Sequence, residues 1–142
     1  MKIMKPIFIS AFLLAFAACN FNTSRTNMPG DNQKAIDRCT EFDNFRKSKN
    51  EFSAVGMIGD QINGENLYKI FHKVDSALGN LDSFKVINAE SRIRNKNGFE
   101  SDEYYVVFKA YYEKGTANEQ FDLTSDNSKK ILVQGFNVTI NL

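Results

Sequence analysis

The sequence is poor in the residues that build metal centres and disulfide frameworks. Its 142 residues include one histidine, two cysteines and no tryptophan. A single histidine excludes zinc or iron sites that are held by several histidines. The chain also lacks the H-E-x-x-H, C-x-x-C, G-x-S-x-G and Walker-type glycine motifs of common catalytic centres. The sequence therefore predicts no metal ligand, no cofactor and no catalytic residue.

The sequence also lacks an excess of charge of one sign. Its 18 basic residues stand against 17 acidic ones, and they form no stripe of the kind that contacts nucleic acid. Hydrophobic residues make up 42% of the chain and charged residues 25%, which is typical of a folded domain and not of a disordered chain. We therefore expect a globular domain without a nucleic-acid partner.

No hydrophobic run is long enough to cross a membrane. The longest, IFISAFLLAFAA at residues 7–18, has 12 residues, whereas a transmembrane helix needs about 20. It follows Lys2 and Lys5, and a short basic segment before a short apolar one is typical of a secretory signal peptide. The run ends in FAAC, residues 16–19.

The FAAC segment resembles the lipobox of bacterial lipoproteins. The resemblance implies that a diacylglyceryl group is attached to the sulfur of Cys19 and that a signal peptide, residues 1–18, is removed. The remaining 124 of the 142 residues would carry fatty-acyl chains such as palmitate, and two or more such chains make a durable anchor. Asn20, which follows the cysteine in place of an aspartate, favours the outer membrane. The protein is expected in the cell envelope, as an outer-membrane lipoprotein that faces the periplasm.

A second interpretation of the leader stays open. The segment AFA, residues 15–17, also satisfies the small-x-small rule for ordinary secretory cleavage. Cys19 could then form a disulfide with Cys39. If Cys19 is acylated instead, Cys39 has no partner in the chain, and its place on a helical apolar stripe predicts a small buried hydrophobic residue.

Residues 19–31 are expected to form a lipidated tether. The segment is polar and contains Pro29 and Gly30. As a flexible coil, a chain of this length would span roughly 20 Å, enough to hold a domain clear of the lipid headgroups. Asp31 is predicted to cap the helix that follows.

Hydrophobic periodicity predicts two helices. From Ala35 onward, apolar residues recur mostly at three- and four-residue steps, which indicates a helix over 32–57 with a possible break at 48–50. A second helix over 65–78 has apolar residues at i, i+3, i+4, i+7 and i+11, and Gly79 stands where a terminating glycine belongs.

After the second helix the period changes to that of strands. Four segments rich in β-branched and aromatic residues are separated by the turn sequences NKNG, EKG and SDNS. The four segments are SFKVINAESRI, DEYYVVFKAYY, TANEQFDLT and KKILVQGFNVTI. Short links favour antiparallel neighbours. The predicted fold class is α+β, with two N-terminal helices packed on a four-stranded antiparallel meander sheet.

This order of elements resembles the cystatin-like and nuclear-transport-factor-like folds. The resemblance rests on LYKIFHKVDSALGNL leading into SFKVINAES, and on the long aromatic strand before the turn at Lys114 and Gly115. It covers about residues 32–142 and implies a curved sheet that wraps a long N-terminal helix. Fold alone does not carry function.

Relatives with these folds include isomerases and dehydratases, which hold acid–base residues in a pocket between helix and sheet. The corresponding candidates are His72, Asp75, Tyr104 and Tyr112. Such catalysis needs a carboxylate or imidazole that faces an apolar cavity. We expect His72 on the surface, Asp75 off the apolar stripe and no inward-facing carboxylate on the strands. The acidic segment ESDE, residues 100–103, lacks EF-hand spacing and is expected to be a solvated loop.

The strand YYVVFKAYY is apolar on both of its faces, and the last strand is similar. One face of a half-covered antiparallel sheet is normally polar. Aromatic-rich exposed patches tend to be contact surfaces, so the face away from the helices is a candidate surface for a partner or for self-association. Cover by another part of the chain and a small-molecule site stay open. The residues expected there are Tyr105, Val107, Tyr111, Ile131 and Val133.

The sequence thus predicts a lipid-anchored envelope protein with a non-catalytic, protein-binding periplasmic domain. The anchor at Cys19 gives the location, and the candidate surface gives the mode of action. A carrier of a small molecule or lipid is one alternative. An isomerase-like or dehydratase-like enzyme on the same fold is the other.

Overall fold

The structure is a computed structural model that describes residues 22–141. It contains an open five-stranded antiparallel sheet with three helices packed on one face, so the predicted α+β class is confirmed. The predicted signal peptide, residues 1–18, and Cys19 lie outside the described residues. The elements are β1 Thr23–Thr26, α1 Pro29–Lys47, α2 Glu51–Val55, α3 Gly64–Leu78, β2 Leu81–Lys96, β3 Phe99–Tyr112, β4 Gly115–Ser125 and β5 Ile131–Asn141.

The helix expected over 32–57 is two helices, which raises the number from two to three. The chain breaks between α1 and α2, where Lys49 takes a positive φ of 61°. The side chain of Asn50 then accepts a hydrogen bond from the backbone N–H of Ser53 and caps α2. The break at 48–50 is therefore confirmed, and Asn50 is one of the residue types that commonly cap helices.

The start of α1 differs from the expectation. Met28, not Asp31, is the N-cap, and Pro29 begins the helix. Asp31 lies in the first turn, where its carboxylate accepts a hydrogen bond from the guanidinium of Arg25 at 2.6 Å. That bond holds the pKa of Asp31 below its usual value.

Most of the segment expected to be a tether is folded. β1 pairs antiparallel with β2, with Thr23 opposite Asn95. Asn27 then binds Ser91 through its backbone N–H and its side-chain oxygen, both at 2.9 Å. The sheet therefore has five strands instead of four. The signal for β1 is weak because all four of its residues are polar and exposed, as on many edge strands.

The second predicted helix is confirmed as α3. Asn63 caps it by accepting hydrogen bonds from the N–H groups of Glu65 and Asn66. Gly79 ends it at a positive φ of 79°. Side chains on its apolar stripe are buried against the sheet.

The sheet is a meander in which each strand pairs with its neighbour in sequence. The four predicted strands correspond to β2 through β5. Residues 100–103, expected to be a solvated loop, belong to β3. Asp102 is 8% exposed and accepts a hydrogen bond from the Ser125 hydroxyl, so this acidic segment is part of the sheet.

A bulge in β5 changes which of its residues face the helices. Leu123 pairs with Val133, but the preceding residue of β4, Asp122, pairs with Gly135. Gln134 is therefore an extra residue, and an extra residue shifts the alternation of side chains by one. As a result Ile131 and Val133 face the helices, like Phe136, Val138 and Ile140 beyond the bulge.

Five phenylalanines from helices and sheet meet in the main core. Their rings contact one another edge-on or tilted, with centroids as close as 5.0 Å, in the geometries that aromatic pairs favour. Cys39 is fully buried beside them, and burial raises the pKa of its thiol. The prediction that Cys39 is a buried hydrophobic residue is confirmed. The five rings belong to Phe42, Phe71, Phe108, Phe121 and Phe136.

Within residues 22–141, no helix is both long and apolar enough to cross a membrane.

Candidate functional site

The sheet face away from the helices, here called the outer face, carries three of the five candidate surface residues. Tyr105, Val107 and Tyr111 alternate along β3 on this face. The two tyrosines are half-buried, and Val107 is only 8% exposed. In register, Val107 lies between Asn88 of β2 and Gln120 of β4, whose longer side chains flank it.

The other two candidates, Ile131 and Val133, are not on the outer face. Val133 is fully buried in the main core, and Ile131 packs against that core. The strict alternation assumed from the sequence fails at the bulge around Gln134. The candidate surface is therefore corrected to Tyr105, Val107 and Tyr111.

Two lysines flank Tyr111 on the outer face. The ammonium groups of Lys85 and Lys109 each lie 5.8 Å from the centre of its ring. This is within the range in which a cation is attracted to an aromatic face. Tyr111 is therefore held in a positively charged environment at one end of β3.

A groove crosses the outer face near the other end of β3. Side chains of the row Ser91, Tyr104 and Leu123 face the helices, so their backbone forms the floor. The rows on either side point outward and form the walls. One wall is Glu90, Tyr105 and Asp122, and the other is Arg92, Glu103 and Thr124.

The groove has a volume of about 420 Å³ and reaches from one edge of the sheet to the other. Asn27 lies at the β1 edge and Gln134 at the β5 edge. The Gln134 side chain donates a hydrogen bond to the Thr124 hydroxyl at 3.1 Å and accepts one from the Gln61 N–H at 3.1 Å. The extra residue of the bulge thus braces one end of the groove.

The groove walls carry more negative than positive charge. Glu90, Glu103 and Asp122 oppose the single guanidinium of Arg92, and Tyr105 adds an aromatic ring. This set suits a ligand that brings positive charge and hydrogen-bond donors. Across the part of the chain that the structure describes, no group of three or more His, Cys, Asp or Glu side chains could hold a metal ion.

A second cluster of polar residues is buried between the helices and the sheet. The guanidinium of Arg46 donates to Asp43 at 2.9 Å, to Glu119 at 2.8 Å and to the Tyr112 hydroxyl at 2.9 Å. The Tyr112 hydroxyl also donates to Glu119. Asp43 and Glu119 are fully buried. The expectation that no strand carries an inward-facing carboxylate is therefore wrong.

Burial and the neighbouring carboxylate of Glu119 raise the pKa of Asp43 well above its usual value. Two ionised carboxylates beside the single charge of Arg46 would leave a net negative charge in the core, which is costly. A proton on Asp43 makes the cluster neutral. Burial also raises the pKa of Tyr112, which stays protonated.

The residues suggested by the enzyme resemblance are not brought together. His72 is exposed on α3, and Asp75 pairs with Lys49 at 2.9 Å. Tyr104 faces the helices elsewhere along β3, where burial raises its pKa to about 12. Only Tyr112 contacts the buried carboxylates.

The sequence held a signal for the buried cluster. Glu119 is spaced by two residues from Ala117 and Phe121, which face the core, as Leu123 also does. Because every second side chain of a strand points to the same face, the sequence places the Glu119 side chain inward. Arg46 lies four residues after Phe42 and continues the buried stripe of α1. These charged residues escape an analysis that follows apolar residues alone.

No protein-family model, curated protein or solved structure matches the chain.

Proposed function

We propose that this chain is a bacterial envelope lipoprotein anchored through Cys19, whose domain binds a partner protein through the groove on its outer face. The lipobox-like FAAC segment supports the anchor. The cystatin-like arrangement of a helix layer on a curved antiparallel sheet is part of the proposal. The domain is expected to be non-catalytic and to need no cofactor.

One observation carries the binding role. The groove of about 420 Å³ lies on the sheet face opposite the helix layer, and its floor is backbone. Its excess of carboxylates favours a partner segment rich in lysine or arginine, because complementary charge steers association and fixes register. Tyr105 supplies the kind of aromatic contact that is enriched at interfaces.

The buried cluster supports a non-catalytic role. Asp43, Arg46, Tyr112 and Glu119 do not line the groove or the two cavities beside β1. Phe71 and Phe136 cover the guanidinium of Arg46, at 4.8 and 5.2 Å from its central carbon. Acid–base catalysis needs such groups within reach of a substrate.

A photocrosslinking experiment tests the binding surface. A photoreactive phenylalanine analogue at Tyr105 should give one discrete adduct in living cells, identified by mass spectrometry. Replacing Phe52 gives the matched control, because Phe52 is an aromatic residue 82% exposed on α2, away from the outer face. An adduct of twice the chain mass would identify self-association as the binding mode.

Substitution then tests the contribution of the tyrosines. The Tyr105→Ser, Tyr111→Ser double variant should bind the captured partner at least about tenfold more weakly, because it removes the aromatic ring of the groove wall together with the second tyrosine of the outer face. Phe52→Ser should leave affinity unchanged. Full affinity in the double variant, or equal crosslinking from Phe52, would contradict the assignment of the surface.

The groove also supports one alternative, a carrier of a small molecule. Its volume lies within the range of small-ligand sites. A carrier should retain its ligand through purification, so native mass spectrometry should detect a mass above that of the acylated chain. A Glu103→Gln, Asp122→Asn variant should lose that added mass.

A further inference from the structure

Few residues separate Cys19, the proposed anchor, from the first strand of the sheet. The sheet begins at Thr23, four residues after Cys19, and four residues of extended chain span at most about 14 Å. Thr23 pairs with Asn95, near the end of β2. The chain therefore leaves the sheet beside the turn that connects β2 to β3.

That turn is a tight two-residue hairpin with an exposed aromatic residue. Lys96 pairs with Phe99, and Asn97 and Gly98 between them have φ values of 54° and 82°. This is the pattern of the rigid Asn-Gly hairpin turn. Phe99 is 81% exposed, so a large apolar ring projects from the end of the molecule nearest the anchor.

Positive charge lies next to that ring. Arg94 and Lys96 are exposed and share the outer face with Phe99. The nearest acid on that face is Glu103, whose carboxylate is 3.9 Å from the Arg94 guanidinium. Glu100 points to the other face and pairs with Lys129 at 2.6 Å. The local surface is thus aromatic and basic.

A cavity of about 220 Å³ lies at the paired ends of β1 and β2. Its lining includes Asn22, Ser24, Arg94 and Lys96. Arg94 and Lys96 carry the positive charge that pairs with a phosphate group. A phospholipid headgroup that enters this cavity would therefore meet two cations.

We infer that the hairpin tip, defined as Arg94, Lys96 and Phe99, docks on an anionic phospholipid surface beside the acylated Cys19. This inference rests on the proposed lipid anchor. Aromatic rings favour the membrane interface, and lysine and arginine near anionic lipid add electrostatic attraction. Only four residues lead from Cys19 to the start of β1, which keeps the tip within reach of the bilayer, so docking needs little further ordering.

Docking of the tip sets the height of the groove above the lipid. Tyr104, on the groove floor, is five residues from Phe99 along β3, which corresponds to roughly 17 Å at 3.3 Å per residue. The groove then clears the headgroups and stays open to the periplasm. The anchor would orient the binding site as well as localise it.

Tryptophan fluorescence tests the docking directly, because the chain contains no tryptophan. The F99W and F52W variants of the acylated mature protein are reconstituted into phosphatidylcholine–phosphatidylglycerol vesicles with and without brominated acyl chains. F52W is the matched control. Its helix, α2, follows the end of α1 where Arg46 reaches Tyr112, at the opposite end of β3 from Phe99.

Brominated lipid should quench the F99W emission about twofold or more, as for a ring at the interface, and leave F52W unchanged. Adding R94Q and K96Q, or replacing the anionic lipid with phosphatidylcholine, should reduce the quenching. Equal or no quenching of both reporters on vesicle-bound, acylated protein would overturn the docking and leave the anchor intact. Native protein that carries no acyl group on Cys19 and does not sediment with vesicles would overturn the anchor and the docking together.

Discussion

Asp43 and Glu119 each have one buried carboxyl oxygen without a hydrogen-bond partner among the described groups. A proton on Asp43 accounts for both oxygens at once, because it turns the Asp43 carboxyl into a donor toward Glu119. The raised pKa of Asp43, caused first by burial and then by the charge of Glu119, points the same way. Both observations indicate a neutral, hydrogen-bonded cluster in the core.

The shared proton makes stability depend on pH. The folded chain keeps the Asp43 proton above pH 3.8, the usual pKa of an aspartate, whereas the unfolded chain loses it. The folded state then binds more protons, so the free energy of unfolding falls as pH rises toward the raised pKa. A one-proton difference corresponds to about 1.4 kcal/mol per pH unit.

The Asp43→Asn variant should remove this dependence. An asparagine amide donates to Glu119 in place of the proton and accepts from Arg46 in place of the carbonyl. Urea unfolding of the C19S form, measured between pH 4.5 and 8, should show the variant gaining stability over the parent as pH rises. The slope of the difference should approach about 1.4 kcal/mol per pH unit.

The Arg46→Met variant, unlike Asp43→Asn, should strongly lower the free energy of unfolding. It leaves the buried carboxyl groups without their cation, and breaking a buried ion pair in this way costs about 3–5 kcal/mol.

Parallel pH profiles for the parent and Asp43→Asn would mean that Asp43 is ionised in the folded protein. The proposed shared proton would then be wrong.

At the scale of elements, Gly79 joins α3 to β2 in a backbone conformation that only glycine adopts readily. Its φ is 79° and its ψ is −159°, and a Cβ there would lie 2.4 Å from a carboxylate oxygen of Glu113. Gly79→Ala should therefore lower the free energy of unfolding by about 1–3 kcal/mol, the cost of such strain. Urea unfolding measures this change.

Gly30→Ala is the matched control for that substitution. A Cβ at Gly30, in the first turn of α1, meets nothing within 4 Å. Because alanine loses less entropy than glycine in a helix, the variant should be neutral or more stable by up to about 1 kcal/mol. A Gly79→Ala variant as stable as Gly30→Ala would contradict the assigned strain.

Periodicity predicted most elements because they separate apolar from polar side chains. α3 carries that pattern clearly and ends at Gly79 as predicted. The four long strands were predicted from their β-branched and aromatic residues and from the turn sequences between them. β1 escaped because its four residues are all exposed. The bulge at Gln134 escaped because it depends on pairing with β4, and register between strands is not encoded within one strand.

The same bulge explains why the candidate surface was only partly correct. Ile131 and Val133 continue the alternation of a regular strand toward the outer face, but the extra residue returns them to the core. Tyr105 and Tyr111 lie on a strand without a bulge between them, so their face was predicted correctly. Residues from all five strands line the groove, so it could not be predicted without the pairing of those strands.

At the scale of the whole molecule, β1 fixes the end of the sheet at which the chain that follows Cys19 enters the domain. It pairs with the end of β2 that leads into the β2–β3 hairpin, so the chain enters the sheet at the same end as the exposed Phe99. The turn between β3 and β4 lies at the other end of the sheet. With the proposed anchor and docking, the protein would present the outer-face groove sideways to the periplasm.

The most direct test is the intact mass of the native protein purified from the membrane fraction of the cells that produce it, with fragmentation of its first residues. If Cys19 is acylated as proposed, the chain begins at Cys19, has 124 residues and carries the added mass of a diacylglyceryl group on that cysteine. A Cys19→Ser form should lose the added mass and leave the membrane fraction. A chain that begins at any other residue, or an unmodified Cys19, would contradict the account.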